Sequence, residues 1–160
     1  MNYVGEEWPR EIRIEAGYFL GQLYDTDETL KLIMSAGTLE ILPKLLDTEY
    51  AENKDLITVG LDCIFKVIDL DIKFEECFKI WANNRTIERL AIILINVLND
   101  PNENGLVTKV AYLFLNFSMA SREVKLKVCE PHILDILMRC IENVPKEELG
   151  KFIKAFKYLT

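Results

Sequence analysis

Apolar residues recur at helical spacing along the chain, and the clearest case is the stretch Ser35–Leu70. Its first half, after Gly37, places leucines at positions 39, 42, 45 and 46, and its second half places apolar or small residues at 56, 60, 63, 64 and 67. Spacings of three, four and seven residues put such positions on one face of a helix. The stretch therefore predicts two amphipathic helices joined by a polar loop, and neither helix can bury its apolar face without neighbours.

The same spacing recurs before and after this stretch. Further helices are predicted over residues 11–24, 27–36, 74–83, 86–99, 106–120, 121–130 and 133–144, with a last one after Pro145. The polar segment Asp100–Gly105 is a predicted loop. No segment shows the strict alternation of a half-buried strand, so the expected fold class is all-α.

The helices form an internal repeat. After the lone first helix, the predicted helices can be grouped in threes. In the middle helix of each group, Thr38, Thr86 and His132 align at spacings of 48 and 46 residues. The lone first helix aligns with the third helix of the groups: Ala16, Gly60 and Val110 align at spacings of 44 and 50 residues. The mean period is therefore 47 in both alignments. A three-helix unit of about this period is typical of armadillo and HEAT α-solenoids. We predict about three such repeats after an N-terminal lone helix, with residues 1–9 as a loose end and residues 10–160 as a single domain.

Composition supports a folded chain and bounds its setting. The 160 residues are 50% hydrophobic and 28% charged, which suits one globular domain. The longest apolar run, Leu90–Leu98, is far shorter than the roughly 20 residues that span a bilayer. No signal peptide is recognised at the start, and the four cysteines lack CxxC spacing. We therefore expect reduced core cysteines in a cytoplasmic or nuclear protein, and neither disulfides nor zinc.

Charge is unevenly distributed. The net charge is −7; residues 1–119 carry 11 Lys+Arg and 20 Asp+Glu, whereas residues 120–160 carry 8 and 6. An acidic body argues against broad nucleic-acid binding. The basic end includes Lys151, Lys154 and Lys157, which could contact an acidic or phosphorylated segment. The alternative is a solvated face on a terminal helix.

Candidates for catalysis are weak. His132 is the only histidine and has no accompanying constellation, and Cys63 lies on an apolar stripe without a base partner. We expect no enzymatic activity, metal site or cofactor. Phe78 and Trp81 could form an exposed hot spot, but their helical spacing with Phe74 and Cys77 favours the core.

Three segments carry a family resemblance. EAGYFLGQL (Glu15–Leu23), the long segment Gly37–Ile68 with its loop EYAENKDL, and FEECFKIWANNRTIERL (Phe74–Leu90) resemble one helical-repeat region. That region lies C-terminal to the kinase domain in the Ser/Thr kinases of the fungal septation-initiation and mitotic-exit networks. The related plant MAP-kinase-kinase-kinase epsilon group carries a similar region. After Asn99 the chain shows only general repeat character.

The resemblance implies a non-catalytic, armadillo-like part of a cell-cycle Ser/Thr kinase. Such a part docks the kinase to a scaffold at the spindle pole body or division site. The chain contains no glycine-rich loop, HRD or DFG motif, and its end at Thr160 favours an excised domain. Two alternatives stay open: a homodimerisation or autoregulatory domain of such a kinase, and a free-standing armadillo-repeat adaptor.

Solenoids bind extended partners along the surface of their third helices. Three pairs occupy equivalent places there, and each pair is spaced i, i+4, so that both members point the same way. The pairs are Tyr18 with Gln22, Asp62 with Lys66, and Tyr112 with Asn116. In armadillo repeats an aromatic residue and an asparagine at this spacing often hold a partner's backbone. The resemblance therefore makes Tyr112 and Asn116 the first candidates, and Tyr18 and Gln22 the next. The alternative is that all six are ordinary polar surface residues.

Overall fold

The computed structural model describes residues 3–24, 26–35, 37–46, 50–69 and 74–160. Within these ranges all regular structure is helical, which confirms the all-α prediction. The α-helices are α1 (Arg10–Leu23), α2 (Asp27–Ser35), α3 (Tyr50–Asp69), α4 (Phe74–Asn83), α5 (Thr86–Val97), α6 (Asn104–Met119), α7 (Arg122–Val128), α8 (Pro131–Asn143) and α9 (Lys146–Leu159). Short 3₁₀ helices cover Thr38–Glu40, Leu42–Leu45 and Pro101–Glu103. In the described ranges, none of the helices has the length and apolar character that crossing a bilayer requires.

The order of elements matches the predicted repeat. A lone helix, α1, precedes three rounds, which end in the long helices α3, α6 and α9. By contact the chain divides into two compact units, residues 1–84 and residues 85–160. The predicted single domain over residues 10–160 stays a prediction.

The first unit is built around the contact of α1 with α3. The 3₁₀ segment packs against both helices, and α4 packs against the 3₁₀ turn at Thr38–Glu40. Phe78 and Trp81 of α4 are fully buried in this core. Their rings meet nearly edge to face at 5.4 Å between centroids. The prediction that these two aromatic residues belong to the core is confirmed.

The second unit is built around α6. This helix packs against α5, α7 and α9, while α8 packs against α5 and α9. Its side chains Val110, Phe114 and Phe117 are completely buried. Phe152 of α9 is buried as well, and Phe156 and Leu159 of the same helix are half-buried.

The middle segment of the first round differs from the predicted α-helix. Residues 38–46 form two 3₁₀ turns, in which Lys44 donates its backbone N–H to Ile41 and Leu46 donates to Pro43. Proline has no N–H, and its ring clashes with the carbonyl four residues earlier, so Pro43 disfavours a continuous α-helix here. Gly37, at φ 72°, begins the segment in the left-handed region that glycine adopts without strain.

Residues 3–9, part of the predicted loose end, make several contacts. Among residues 3–9, Val4 is buried, and the rings of Tyr3 and Trp8 lie 4.9 Å apart. The buried Arg13 of α1 donates from Nε to the carbonyl of Val4 at 3.2 Å. This charge-assisted hydrogen bond holds the segment around Val4 against α1. The remaining two residues of the predicted loose end lie outside the described part.

Candidate functional site

Helices α1 and α3 approach each other closely because α1 carries a glycine at the crossing. A Cβ atom at Gly17 would lie 2.5 Å from Cγ1 of Val59, which is closer than side-chain carbons can pack. At Gly21, one turn later, a Cβ atom would find ordinary contacts with Cys63 and Lys66. The missing side chain at Gly17 therefore sets the distance between the two helices.

Two hydrogen bonds fasten α3 to the backbone of α1. The thiol of Cys63 donates to the carbonyl of Gly17 at 3.2 Å, and Nζ of Lys66 donates to the carbonyl of Gly21 at 2.6 Å. Gly21 lies in the last turn of α1, where carbonyls lack intrahelical donors and the helix dipole is negative. The Lys66 ammonium thus acts as a cationic cap on the end of α1.

A cavity of about 180 Å³ opens at this crossing. Its lining includes all four predicted site residues of the first unit: Tyr18 and Gln22 from α1, and Asp62 and Lys66 from α3. Tyr18 is 57% exposed, and the other three side chains are also exposed. We call this the α1–α3 cavity. It places an aromatic ring, an amide, a carboxylate and an ammonium around a floor of two glycines, Val59 and Cys63.

The thiol in the cavity floor is poorly suited to act as a nucleophile. Burial raises the pKa of Cys63 to about 11; nearby Lys66 acts to lower it and Asp62 to raise it further. Since the thiolate is the reactive form, Cys63 stays protonated and inert near neutral pH. His132, the other candidate, lies in the second unit at the exposed start of α8, where its Nδ1 is 3.7 Å from Glu130.

In the second unit Tyr112 and Asn116 lie on α6, as the repeat alignment predicts. Tyr112 is 38% exposed, but Asn116 is only 8% exposed. The Asn116 amide donates from Nδ2 to the backbone carbonyl of Tyr112 at 2.8 Å. An asparagine engaged with its own helix must rotate before it can hold a partner's backbone. The geometry of this pair is therefore less prepared for binding than that of the α1–α3 cavity.

The three lysines of the basic end lie in different surroundings on α9. Lys151 is half-buried and pairs with the buried Glu148 at 2.6 Å. Glu148 also accepts a hydrogen bond from Thr108 of α6 at 2.9 Å. Lys151 therefore helps to join α9 to α6, whereas Lys154 and Lys157 are exposed.

The burial of three charged residues, Arg13, Glu103 and Glu148, was not predicted from the sequence. Arg13 donates to the carbonyl of Val4 and, from its terminal nitrogen, to that of Lys44 at 2.6 Å. A weak signal existed for Glu148, because an acidic residue in the first turn of a helix with lysine three positions later is typical of a stabilised helix start. For Arg13 the acceptors are backbone carbonyls, and the sequence holds no signal for them.

Similar sequences come from fungi and plants. The chain is 31% identical over 167 residues to cytokinesis protein sepH of Aspergillus niger, covering 99% of this chain and 12% of that protein. It is 24% identical over 166 residues to cell division control protein 7 of Schizosaccharomyces pombe, covering 100% of this chain and 15% of that protein. Against MAP3K epsilon protein kinase 1 of Brassica napus the identity is 30% over 112 residues, with 67% and 8% covered.

The chain thus spans only 8–15% of the length of these relatives. No protein-family model matches the sequence. Among solved structures, a designed armadillo repeat protein in complex with the peptide (KR)4 is similar with a TM-score of 0.68 and 17% identity. The match covers 99% of this chain and 62% of the designed protein, which confirms the armadillo-like fold.

Proposed function

We propose that this chain, which is homologous to a segment of the sepH, cell division control protein 7 and MAP3K epsilon proteins, is a non-catalytic protein-binding module of a cell-cycle Ser/Thr kinase. In this proposal the module docks the kinase to a scaffold at the spindle pole body or division site during mitotic exit and cytokinesis. The α1–α3 cavity is the observation that carries the binding role. It gathers four polar residues at the place where armadillo repeats hold extended segments.

The chemistry of the cavity suits a basic, extended segment. Tyr18 offers an exposed aromatic face for a cation, and Asp62 offers a carboxylate for a charge-assisted hydrogen bond. Gln22 can both donate to and accept from a peptide backbone. The first unit, with 8 Lys+Arg and 17 Asp+Glu, has a net charge of −9. This charge attracts cationic segments over the range of a Debye length.

The designed armadillo neighbour supports the same ligand class, because its bound peptide is composed of lysine and arginine. In our chain Lys66 is engaged with the end of α1, so it supports the site rather than contacting the segment first. The pair Tyr112 and Asn116 becomes a second contact in this proposal, reached only after Asn116 leaves its own helix backbone.

Fluorescence anisotropy with a labelled (KR)4 peptide tests the binding role. We expect the double variant Tyr18→Ala/Asp62→Asn to weaken binding about tenfold or more, since a cation–π contact and a charge-assisted bond are lost together. Its thermal midpoint should stay near that of the unmodified chain, because both side chains are exposed.

The control is Tyr112→Ala/Asn116→Ala, which alters the pair of the second unit that aligns with Tyr18 and Gln22. A smaller loss of affinity is expected here. If this control weakens binding more than the first-unit variant does, the site assignment is wrong. If the peptide binds neither the unmodified chain nor any variant, the proposed ligand class is wrong.

The docking role is tested separately with the chain as bait in mitotic extract. A scaffold that uses the α1–α3 cavity should be retained by the unmodified chain and lost with Tyr18→Ala/Asp62→Asn. If every retained protein is also retained by the double variant, the cavity does not serve docking.

A further inference from the structure

The α1–α3 cavity has the size of one long side chain. Its volume of about 180 Å³ is too small for a helix, whose diameter with side chains is about 10 Å. Gly17 and Gly21 line the cavity but contribute no side chain that would fill it. The alignment of Ala16 with Val110 pairs Gly21 with Leu115 of α6, which is half-buried. A place that carries a leucine in the second unit is therefore left without a side chain in the first.

The backbone carbonyls in the floor of the cavity already accept hydrogen bonds. The carbonyl of Gly17 accepts from the Cys63 thiol at 3.2 Å, and the carbonyl of Gly21 accepts from Nζ of Lys66 at 2.6 Å. A lysine side chain that entered here would bring three N–H donors on one compact charge. It would also meet the ammonium of Lys66 in the lining, and two like charges at short range repel each other. The floor is therefore poorly suited to lysine.

The rim of the cavity suits the flat guanidinium of arginine. Tyr18 is 57% exposed and offers a ring face on which a guanidinium can stack. The exposed Asp62 carries a carboxylate that matches two parallel N–H donors of a guanidinium, and the amide oxygen of Gln22 can accept from a third. Because the charge of a guanidinium is delocalised and weakly hydrated, it is also less disturbed by the nearby Lys66 than a second ammonium would be.

From these features we propose that the α1–α3 cavity is a subsite for one arginine side chain and discriminates against lysine. The guanidinium stacks on Tyr18 and forms a two-fold hydrogen bond with Asp62, while Lys66 remains bonded to the end of α1. This inference rests on the proposed binding of a basic segment and narrows it, because the segment must place an arginine at the cavity, whereas its other positive charges can be lysine. Dimethylation of that arginine keeps its charge but blocks the two-fold hydrogen bond, and so weakens binding.

Fluorescence anisotropy with labelled octapeptides of equal charge tests this subsite. The probes are octaarginine, octalysine, (KR)4 and an octamer of symmetrically dimethylated arginine. We expect octaarginine to bind the unmodified chain about tenfold more tightly than octalysine, since stacking and a two-fold hydrogen bond are gained together. The dimethylated peptide should bind as octalysine does. (KR)4 should bind nearly as tightly as octaarginine, because one cavity takes one arginine.

Variants of the cavity separate this subsite from a general preference for arginine. Asp62→Asn and Gly21→Leu should each bind octaarginine and octalysine with nearly equal affinity, because the first removes the carboxylate and the second fills the cavity. The matched control is Gly105→Leu on α6, where a Cβ atom meets nothing within 4 Å, and it should keep the preference for arginine. Since Asp62 is exposed, Asp62→Asn tests the subsite even if Gly21→Leu lowers the thermal midpoint.

The possible failures of the subsite and of the proposed function can be told apart. Equal affinities of octaarginine and octalysine for the unmodified chain would overturn the arginine subsite and leave the binding of a basic segment intact. A preference for octaarginine that persists in Asp62→Asn would also overturn the subsite, because arginine is then recognised elsewhere. If none of the four peptides binds the unmodified chain, the proposed ligand class is wrong and the subsite with it.

Discussion

Replacing Gly17 with valine is expected to destabilise the first unit by about 3 kcal/mol, the upper range for adding methyl groups to a packed contact. The first added carbon would lie 2.5 Å from Cγ1 of Val59. Valine has one preferred rotamer in a helix, so neither side chain can turn away freely. The two helices must separate, and the hydrogen bonds from Cys63 and Lys66 to α1 would lengthen with them. Peptide binding at the α1–α3 cavity should be lost together with stability.

Tryptophan fluorescence during urea unfolding measures this effect directly, because both tryptophans of the chain, Trp8 and Trp81, lie in the first unit. The matched control is Gly105→Val on α6, where a Cβ atom meets nothing within 4 Å. The control should leave the fluorescence transition unchanged. Equal midpoints for the Gly17 and Gly105 variants would show that the close crossing of α1 and α3 is absent.

Replacing Arg13 with methionine is expected to cost about 3 kcal/mol, since it leaves one buried and one partly buried carbonyl without a charged donor. The side chain joins α1 to Val4, which precedes the helix, and to Lys44 of the 3₁₀ segment. Methionine keeps much of the apolar stem but supplies no donor. Arg13→Lys should recover part of the loss, because an ammonium can reach one of the carbonyls but cannot fork between both.

Arg10→Met is the matched control, since Arg10 lies three residues earlier on α1 and also donates to a backbone carbonyl, that of Glu52, at 2.5 Å. Its guanidinium is exposed, so its loss should cost less than about 1 kcal/mol. The same urea transition, followed by tryptophan fluorescence, compares all three variants. If Arg10→Met and Arg13→Met lose similar free energies of unfolding, the larger cost expected from burial of the Arg13 side chain is wrong.

Much of the fold follows from local spacing. The apolar positions of α1 and α3 through α9 lie at helical intervals, and polar or proline-containing segments separate them, so helices and their order could be predicted. Residues 38–46 form 3₁₀ turns and not the predicted α-helix, because a single proline, Pro43, changes the hydrogen-bond pattern without changing the spacing of the leucines. Here the signal was present in the sequence and the apolar periodicity concealed it.

The candidate site could be predicted only in part. Repeat alignment placed Tyr18 beside Gln22 and Asp62 beside Lys66, because i, i+4 pairs share a helix face. That the two pairs line one cavity depends on the distance between two helices, which Gly17 sets through a contact 42 residues away with Val59. The hydrogen bond of Asn116 to its own helix likewise depends on a rotamer that residue spacing does not determine.

The proposed binding of an extended basic segment at the α1–α3 cavity is tested by an amide NMR titration of the isotope-labelled chain with (KR)4. We expect the largest shifts on the cavity residues of α1 and α3, among them Gly17, Gly21 and Asp62, and we expect Tyr18→Ala/Asp62→Asn to suppress them. Shifts confined to α6 around Tyr112 and Asn116, or no shifts at high peptide concentration, would contradict it.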